Sequence, residues 1–250
     1  MSAAVSIEAA ADRFRRDGVI VVPTAAAVGW SQTLDVACRA LGGAGMRPWL
    51  YWELHNPWSR AAALVDSWSL LDICQSPVIG DLLAALIGDD IVLFDSQIVP
   101  NPLLPSARSA DWTAERDYFP LDGDGGVTVR IPFGCEPRQR FEYRGTTVTR
   151  LDVGPGEIVI HAAAIHHRSV GTGSAAPPEY VVRYFPATRR YSRDPAHPRH
   201  VALTDRYPWV NYVTMALWQV RGEDRAGNDF ATGFRARAGR WTAARPPPVD

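Results

Sequence analysis

Gly154-Pro155-Gly156-Glu157-Ile158-Val159-Ile160-His161, then Ala162-Ala163-Ala164-Ile165, then His166-His167-Arg168-Ser169 is the stretch on which the fold turns. Glycine and proline make a turn, an apolar β-branched run follows, and histidines stand at its far end. Runs of the same kind surround it. Ile91-Val92-Leu93-Phe94, Val127-Thr128-Val129-Arg130-Ile131, Thr146-Thr147-Val148 and Tyr180-Val181-Val182-Arg183-Tyr184 are β-branched or aromatic, with Gly, Pro and Asp clusters between them. Upstream the period is helical. Ile7, Ala10, Ala11 and Phe14 recur over 6–17 behind Ser6, and Val19 to Val22 then read as a strand stopped by Pro23. Trp30, Leu34, Ala37, Cys38 and Leu41 share a face over about 29–41, closed by Gly42-Gly43, and two further helices are expected over 59–74 and 77–87, with Pro77 in the first turn of the last. Helices first and short strands after give an α+β chain wrapped around a β core.

The 250 residues, 46% hydrophobic, suffice for one sizeable core, so one domain is expected over 1–243. Its helical part spans 6–88 and its β core about 91–187, and residues 244–250, with Pro246-Pro247-Pro248, read as a mobile tail. A net charge of -1 leaves no electrostatic footprint for nucleic acid or an anionic membrane. Cys38, Cys74 and Cys135 are odd in number and lack C-x-x-C spacing, which fits a reduced, cytoplasmic setting rather than a disulfide framework. No signal pattern opens the chain, and no apolar run reaches the ~18 residues of a membrane span. A soluble protein with a small organic partner is expected.

The turn, apolar strand and histidine followed by x-Ser resemble the late metal-ligand strand of the phytanoyl-CoA dioxygenase-like family, which are Fe(II)/2-oxoglutarate oxygenases. Phe14 to Pro23 is similar to that family's first helix and strand, and Val78 to Gly88 with Ile91 to Pro100 to its pre-core helix and strand. Trp112 to Pro120 with Val127 to Ile131 resembles the region of its Trp-His-x-Asp motif. The resemblance runs over most of 10–187 and implies a double-stranded β-helix, the cupin-like jelly roll, with the N-terminal helices packed on it.

In that family iron sits in a facial triad of two histidines and a carboxylate. By the resemblance, His167 takes the late histidine's place and Glu115 the carboxylate's, but Thr113 stands where the first histidine belongs. An alcohol is a poor ligand beside imidazole. Pro178 stands where the family places the arginine that grips 2-oxoglutarate, for which Arg183, Arg168 or Arg130 could substitute. If 113–117 is extended, Thr113, Glu115 and Asp117 share a side, and His161 and His167 share parity if one unbroken strand carries both. Two carboxylates and two histidines then converge on one pocket. Each has a plainer alternative: Glu115 and Asp117 lie in a charged Glu-Arg-Asp run typical of a solvated turn, His55, His161 and His166 suit structural roles, and the tryptophans at 49, 52, 58 and 68 suit the core.

Three functions follow. The first is a tailoring enzyme that keeps the oxygenase scaffold but works by acid/base isomerisation, cyclisation or dehydration, with no cofactor. His167, at a reference pKa near 6.5, would be its acid or base, Glu115 or Asp117 the partner, and Thr113, Arg130, Arg183 and Trp112 the substrate contacts. The second is an Fe(II)/2-oxoglutarate oxygenase in which His167, Glu115 and either Asp117 or His161 hold the metal. The third is a non-catalytic small-ligand binder using the barrel mouth.

Overall fold

The structure is a computed structural model that describes residues 7–46, 51–100, 112–117, 119–134, 139–145, 147–154, 156–170, 177–208 and 212–230. In chain order the elements are α1 (Ile7–Asp17), β1 (Val19–Pro23), α2 (Ala25–Gly43), α3 (Ser67–Cys74), α4 (Pro77–Ile87) and β2 (Ile91–Val99). They continue with β3 (Val127–Pro132), β4 (Gln139–Arg144), β5 (Val148–Val153), β6 (Glu157–Ala162), β7 (His166–Val170), β8 (Glu179–Pro186), α5 (Pro198–Arg206) and β9 (Trp218–Arg221). The expected tail 244–250, and with it Trp49 and Cys135, lies outside the described residues.

Local chemistry sets the helix ends. α1 buries Ala10, Ala11 and Phe14 and carries Glu8 in its first turn and Arg15 and Arg16 in its last, both favourable to the helix dipole. Gly18, at φ 71°, then turns the chain into β1, where Ile165 packs 3.2 Å from the place a Cβ would occupy. α2 begins at Ala25, ahead of the expected start at 29, because Thr24 Oγ1 caps it by accepting from Ala26 N at 3.3 Å. Alanines carry no amphipathic signal, so periodicity could not see that turn. The helix expected over 59–74 is broken: a 3₁₀ turn at Arg60–Ala63 precedes α3, which restarts where the Asp66 carboxylate accepts from Ser69 N at 3.1 Å. α4 is as expected, capped by Ser76 with Pro77 in the first turn.

The strands form two antiparallel sheets, one ordered β1-β6-β3-β8-β2-β9 and one ordered β5-β4-β7. Alternation splits the larger sheet's side chains by face. Ile20, Ile160, Val129, Val182, Tyr180 and Tyr184 join Leu34, Leu41, Leu71, Ile79 and Leu83 of the helices in the main core. The other face meets the smaller sheet. There Val19 and Val159 pack on Phe141, Tyr143 and Val153, while Val92, Phe94 and Phe185 pack on Phe119, Tyr191, Tyr212 and Met215. Two sheets facing one another over a filled interior, with helices outside, are the double-stranded β-helix the sequence implied. No single helix among the described residues is long and apolar enough to cross a membrane; α3 and α4 pass that test only as a bent pair, and both set apolar side chains into the main core.

Candidate active site

Between the two apolar clusters the inner face turns polar. Strand register lines up Val19, His161, Thr128, Arg183 and Asp95 in one row across β1, β6, β3, β8 and β2. One step along, Val159, Arg130, Val181 and Gln97 form the next row. The smaller sheet answers with Tyr143 and His167, paired across β4 and β7. Glu115 enters from a 3₁₀ turn, Glu115–Asp117, placed by the antiparallel bridge of Thr113 to His167, with hydrogen bonds of 3.1 and 2.9 Å. His161, Glu115, His167, Arg130, Arg183, Asp95 and Glu179 are all buried.

Glu115, His161 and His167 are a group that could hold a metal ion: one ligand atom from each lies within 4.8 Å of the others. Two imidazoles and a carboxylate are also the donor chemistry of a facial triad. Neither oxygen of Glu115 has a hydrogen-bond partner among the described residues; His167 Nε2 is 3.6 Å and His161 Nδ1 3.9 Å away. The imidazole lone pairs, however, are already engaged. Arg130 donates from Nε to His161 Nε2 at 3.2 Å and from Nη2 to His167 Nε2 at 2.9 Å. A guanidinium has only donors, so each Nε2 accepts and each Nδ1 carries the proton. Those Nδ1 atoms sit 3.3 Å from the carbonyls of Ala162 and Ile165, as that tautomer requires. The third arm of Arg130, Nη1, is held by Glu179 Oε1 at 2.8 Å. With Arg130 so placed, no imidazole nitrogen has a lone pair left for a cation, and the fixed charge beside them repels one. The residues as arranged do not fit iron.

The electrostatics separate two carboxylates. For Glu115 burial pushes the pKa up, but His167, His161, Arg183 and Arg130 outweigh it and bring it down to about 2. For Asp95 burial wins over its ion pair with Arg183, 2.7 Å long, and the pKa rises to about 6. Arg183 also lies 3.9 Å from Glu115, so it links the two. Glu53, the non-glycine residue at φ 51°, is raised to about 7 by burial and by Asp95. Burial lowers His167 to about 4 and His161 well below 6.5, so both imidazoles are neutral at neutral pH.

His55, bonded through Nδ1 to Ser96 Oγ at 2.8 Å, is lowered by burial to about 3. A histidine with a depressed folded pKa binds its proton in the unfolded chain first, so its contribution to stability is lost as pH falls below about 6.5. The raised carboxyls of Asp95 and Glu53 act in the opposite sense, favouring the folded state at lower pH. The urea midpoint of His55→Asn is therefore expected to fall less between pH 7 and pH 5 than that of the wild-type chain. An equal fall in both would refute the neutral, buried state of His55.

The structure brings together Glu115, His161, His167, Arg130 and Arg183. Thr113 lies beside His167 through the backbone bridge. Asp117 does not join them: residues 115–117 form a 3₁₀ turn instead of a strand, and its side chain is 58% exposed beside Arg116. Trp112 lies between the guanidiniums of Arg144 and Arg168, 4.0 and 4.7 Å from its ring, on the outer face of the smaller sheet. Arg168 itself is bound there to Glu142. Pro178 immediately precedes β8, its carbonyl accepting from Phe133 N at 3.0 Å. His161 and His167 do meet, but on two strands of different sheets with a turn between, not on one. Asp95, Glu179 and Glu53 went unnoticed in the sequence. A carboxylate in the otherwise apolar start of β2 was the signal for the first.

No protein-family model matches this chain, and no curated protein matches its sequence. Solved structures do match. CytC3 with Fe(II) and alpha-ketoglutarate superposes with a TM-score of 0.62 at 18% identity, over 92% of this chain and 95% of that one. The non-heme alpha-ketoglutarate-dependent epimerase SnoN from nogalamycin biosynthesis gives 0.57 at 18% identity, over 82% and 91%. The carbocyclase SnoK from nogalamycin biosynthesis gives 0.56 at 16%, over 75% and 86%. At these identities the likeness shows the fold: this chain has the double-stranded β-helix on which those non-haem enzymes are built.

Proposed function

We propose that this protein is a small-molecule tailoring enzyme that works without a metal, by proton transfer within a charged barrel interior. The observation that carries the reading is Arg130, which fills with a guanidinium the place the resemblance gives to iron and occupies the Nε2 lone pairs of both His161 and His167. The epimerase and carbocyclase structures on the same scaffold support isomerisation or cyclisation as the kind of outcome.

The roles follow from the separated carboxylates. Asp95, with Oδ1 lacking a hydrogen-bond partner among the described residues and a pKa near 6, exchanges a proton at neutral pH and is the general acid or base. Glu115 stays ionised and accepts a hydrogen bond from a substrate hydroxyl or amide. Arg183, paired with Asp95, and Arg130 stabilise negative charge that develops on a substrate oxygen. His161 and His167 hold Arg130 in position instead of carrying the proton. Trp52 and Phe119, with Arg183 5.4 and 5.3 Å from their rings, line the apolar side of the same interior.

A working oxygenase is the competing reading, favoured by the bare carboxylate of Glu115, and it requires Arg130 to leave both imidazoles. Candidate small molecules incubated with the protein under anaerobic conditions with a strong chelator separate the two. The proposal expects a product of unchanged mass, or one lighter by water. Turnover that needs oxygen and 2-oxoglutarate and releases succinate would refute it.

A further inference from the structure

We infer that Arg130 is what keeps this site free of metal, and that Glu115, His161 and His167 form a divalent-cation site once its guanidinium is removed. The inference rests on the metal-free reading and deepens it, because it assigns the loss of metal to one side chain instead of to a shortage of ligands.

Thr113 stands in the first histidine's place, yet the count of donors is not reduced. His161, at the end of β6, faces His167 across the interior with ring centroids 4.4 Å apart, and Glu115 supplies a carboxylate with neither oxygen hydrogen-bonded among the described residues. Both imidazoles have Nδ1 turned to a backbone carbonyl, which leaves Nε2 unprotonated; His167 Nε2 lies 3.6 Å from Glu115, whereas the His161 nitrogen nearest that carboxylate is Nδ1, at 3.9 Å, so His161 would offer Nε2 at the place the guanidinium vacates. What stands in the way is Arg130. It is fixed from three sides, by His161, His167 and Glu179, and its guanidinium lies over Phe141 at 5.4 Å. A planar group so anchored consumes both lone pairs and adds a charge of the same sign as the metal.

The test uses the full chain. Arg130→Met leaves Glu179 as a buried carboxylate without its cation, so the main variant is the double substitution Arg130→Met with Glu179→Gln, which removes the charge pair together. Co(II) is added without oxygen, the ligand-field absorption is followed, and bound cobalt is counted after gel filtration. The double variant is expected to take one cobalt per chain, with affinity about a hundredfold above wild type, because both Nε2 lone pairs are freed and the nearer charge of the removed pair is the one with the metal's sign. Adding His167→Ala to it should abolish the band. A folded double variant that takes no cobalt overturns the inference and leaves the metal-free reading standing. A wild-type chain that takes one cobalt just as tightly overturns both. In the wild-type protein itself, excess Zn(II) should leave the ¹⁵N resonances of His161 and His167 unmoved, a readout that depends on no variant; displacement of both Nε2 signals would also overturn the inference.

Discussion

Glu179→Leu is expected to destabilise the protein by about 3–5 kcal/mol, because it strips a buried guanidinium of its carboxylate. Arg130 Nη1 and Glu179 Oε1 are 2.8 Å apart and both side chains are buried, 9% and 2% exposed. Leucine removes the charge and leaves Arg130 hydrogen-bonded to two neutral imidazoles, without the carboxylate in contact with it. For a chain of this size the loss corresponds to a drop in Tm of roughly 6–20 °C. Coupling distinguishes this from an ordinary core defect. Adding Arg130→Met to Glu179→Leu should restore most of the lost stability, since replacing both members of a buried pair by apolar groups is often neutral or stabilising. Thermal unfolding of the two single variants and the double variant measures the coupling. If the effects of the two substitutions simply add, Glu179 is not the counter-charge of Arg130.

Asp95→Asn is expected to lower turnover by about 10²- to 10⁴-fold, the usual contribution of a positioned general acid or base. Asparagine keeps the shape and a hydrogen-bond acceptor for Arg183, now 2.7 Å from Asp95 Oδ2, but cannot carry the proton. The pH profile isolates that role. Wild-type kcat should bend at an apparent pKa near 6, the position to which burial raises Asp95, and the bend should vanish in the variant while a residual rate persists. A reduced rate with the bend intact would make Asp95 a positioning residue and pass the proton to another group, with Glu53, raised to about 7, the next to examine.

Much of the fold was legible because its signals are local. Caps, glycine stops and apolar periodicity located α1 and α4, and β-branched runs located β1, β3, β6 and β8. β4 escaped because Gln139-Arg140-Phe141-Glu142-Tyr143-Arg144 alternates charge with aromatic rings and has no β-branched residue. The strand expected at 146–148 is only the approach to β5, and Thr146 lies outside the described residues. The site was half legible. Glu115, His167, Arg130 and Arg183 were singled out, and the convergence of His161 with His167 was anticipated, though from parity along one strand. In fact the turn at Ala163–Ile165 sends β7 into the opposite sheet, so the two histidines face each other across the interior. Asp117 misled because three residues wound into a 3₁₀ turn lose the alternation of a strand. The join of Arg130 to both imidazoles is a contact among β3, β6 and β7, and no local pattern encodes it.

The central claim is that a guanidinium stands where a metal would, and anaerobic titration of the wild-type chain with Fe(II), with iron counted after gel filtration, tests it most directly. The account predicts no heat of binding and no retained iron. One iron per chain, lost on His167→Ala, would contradict it.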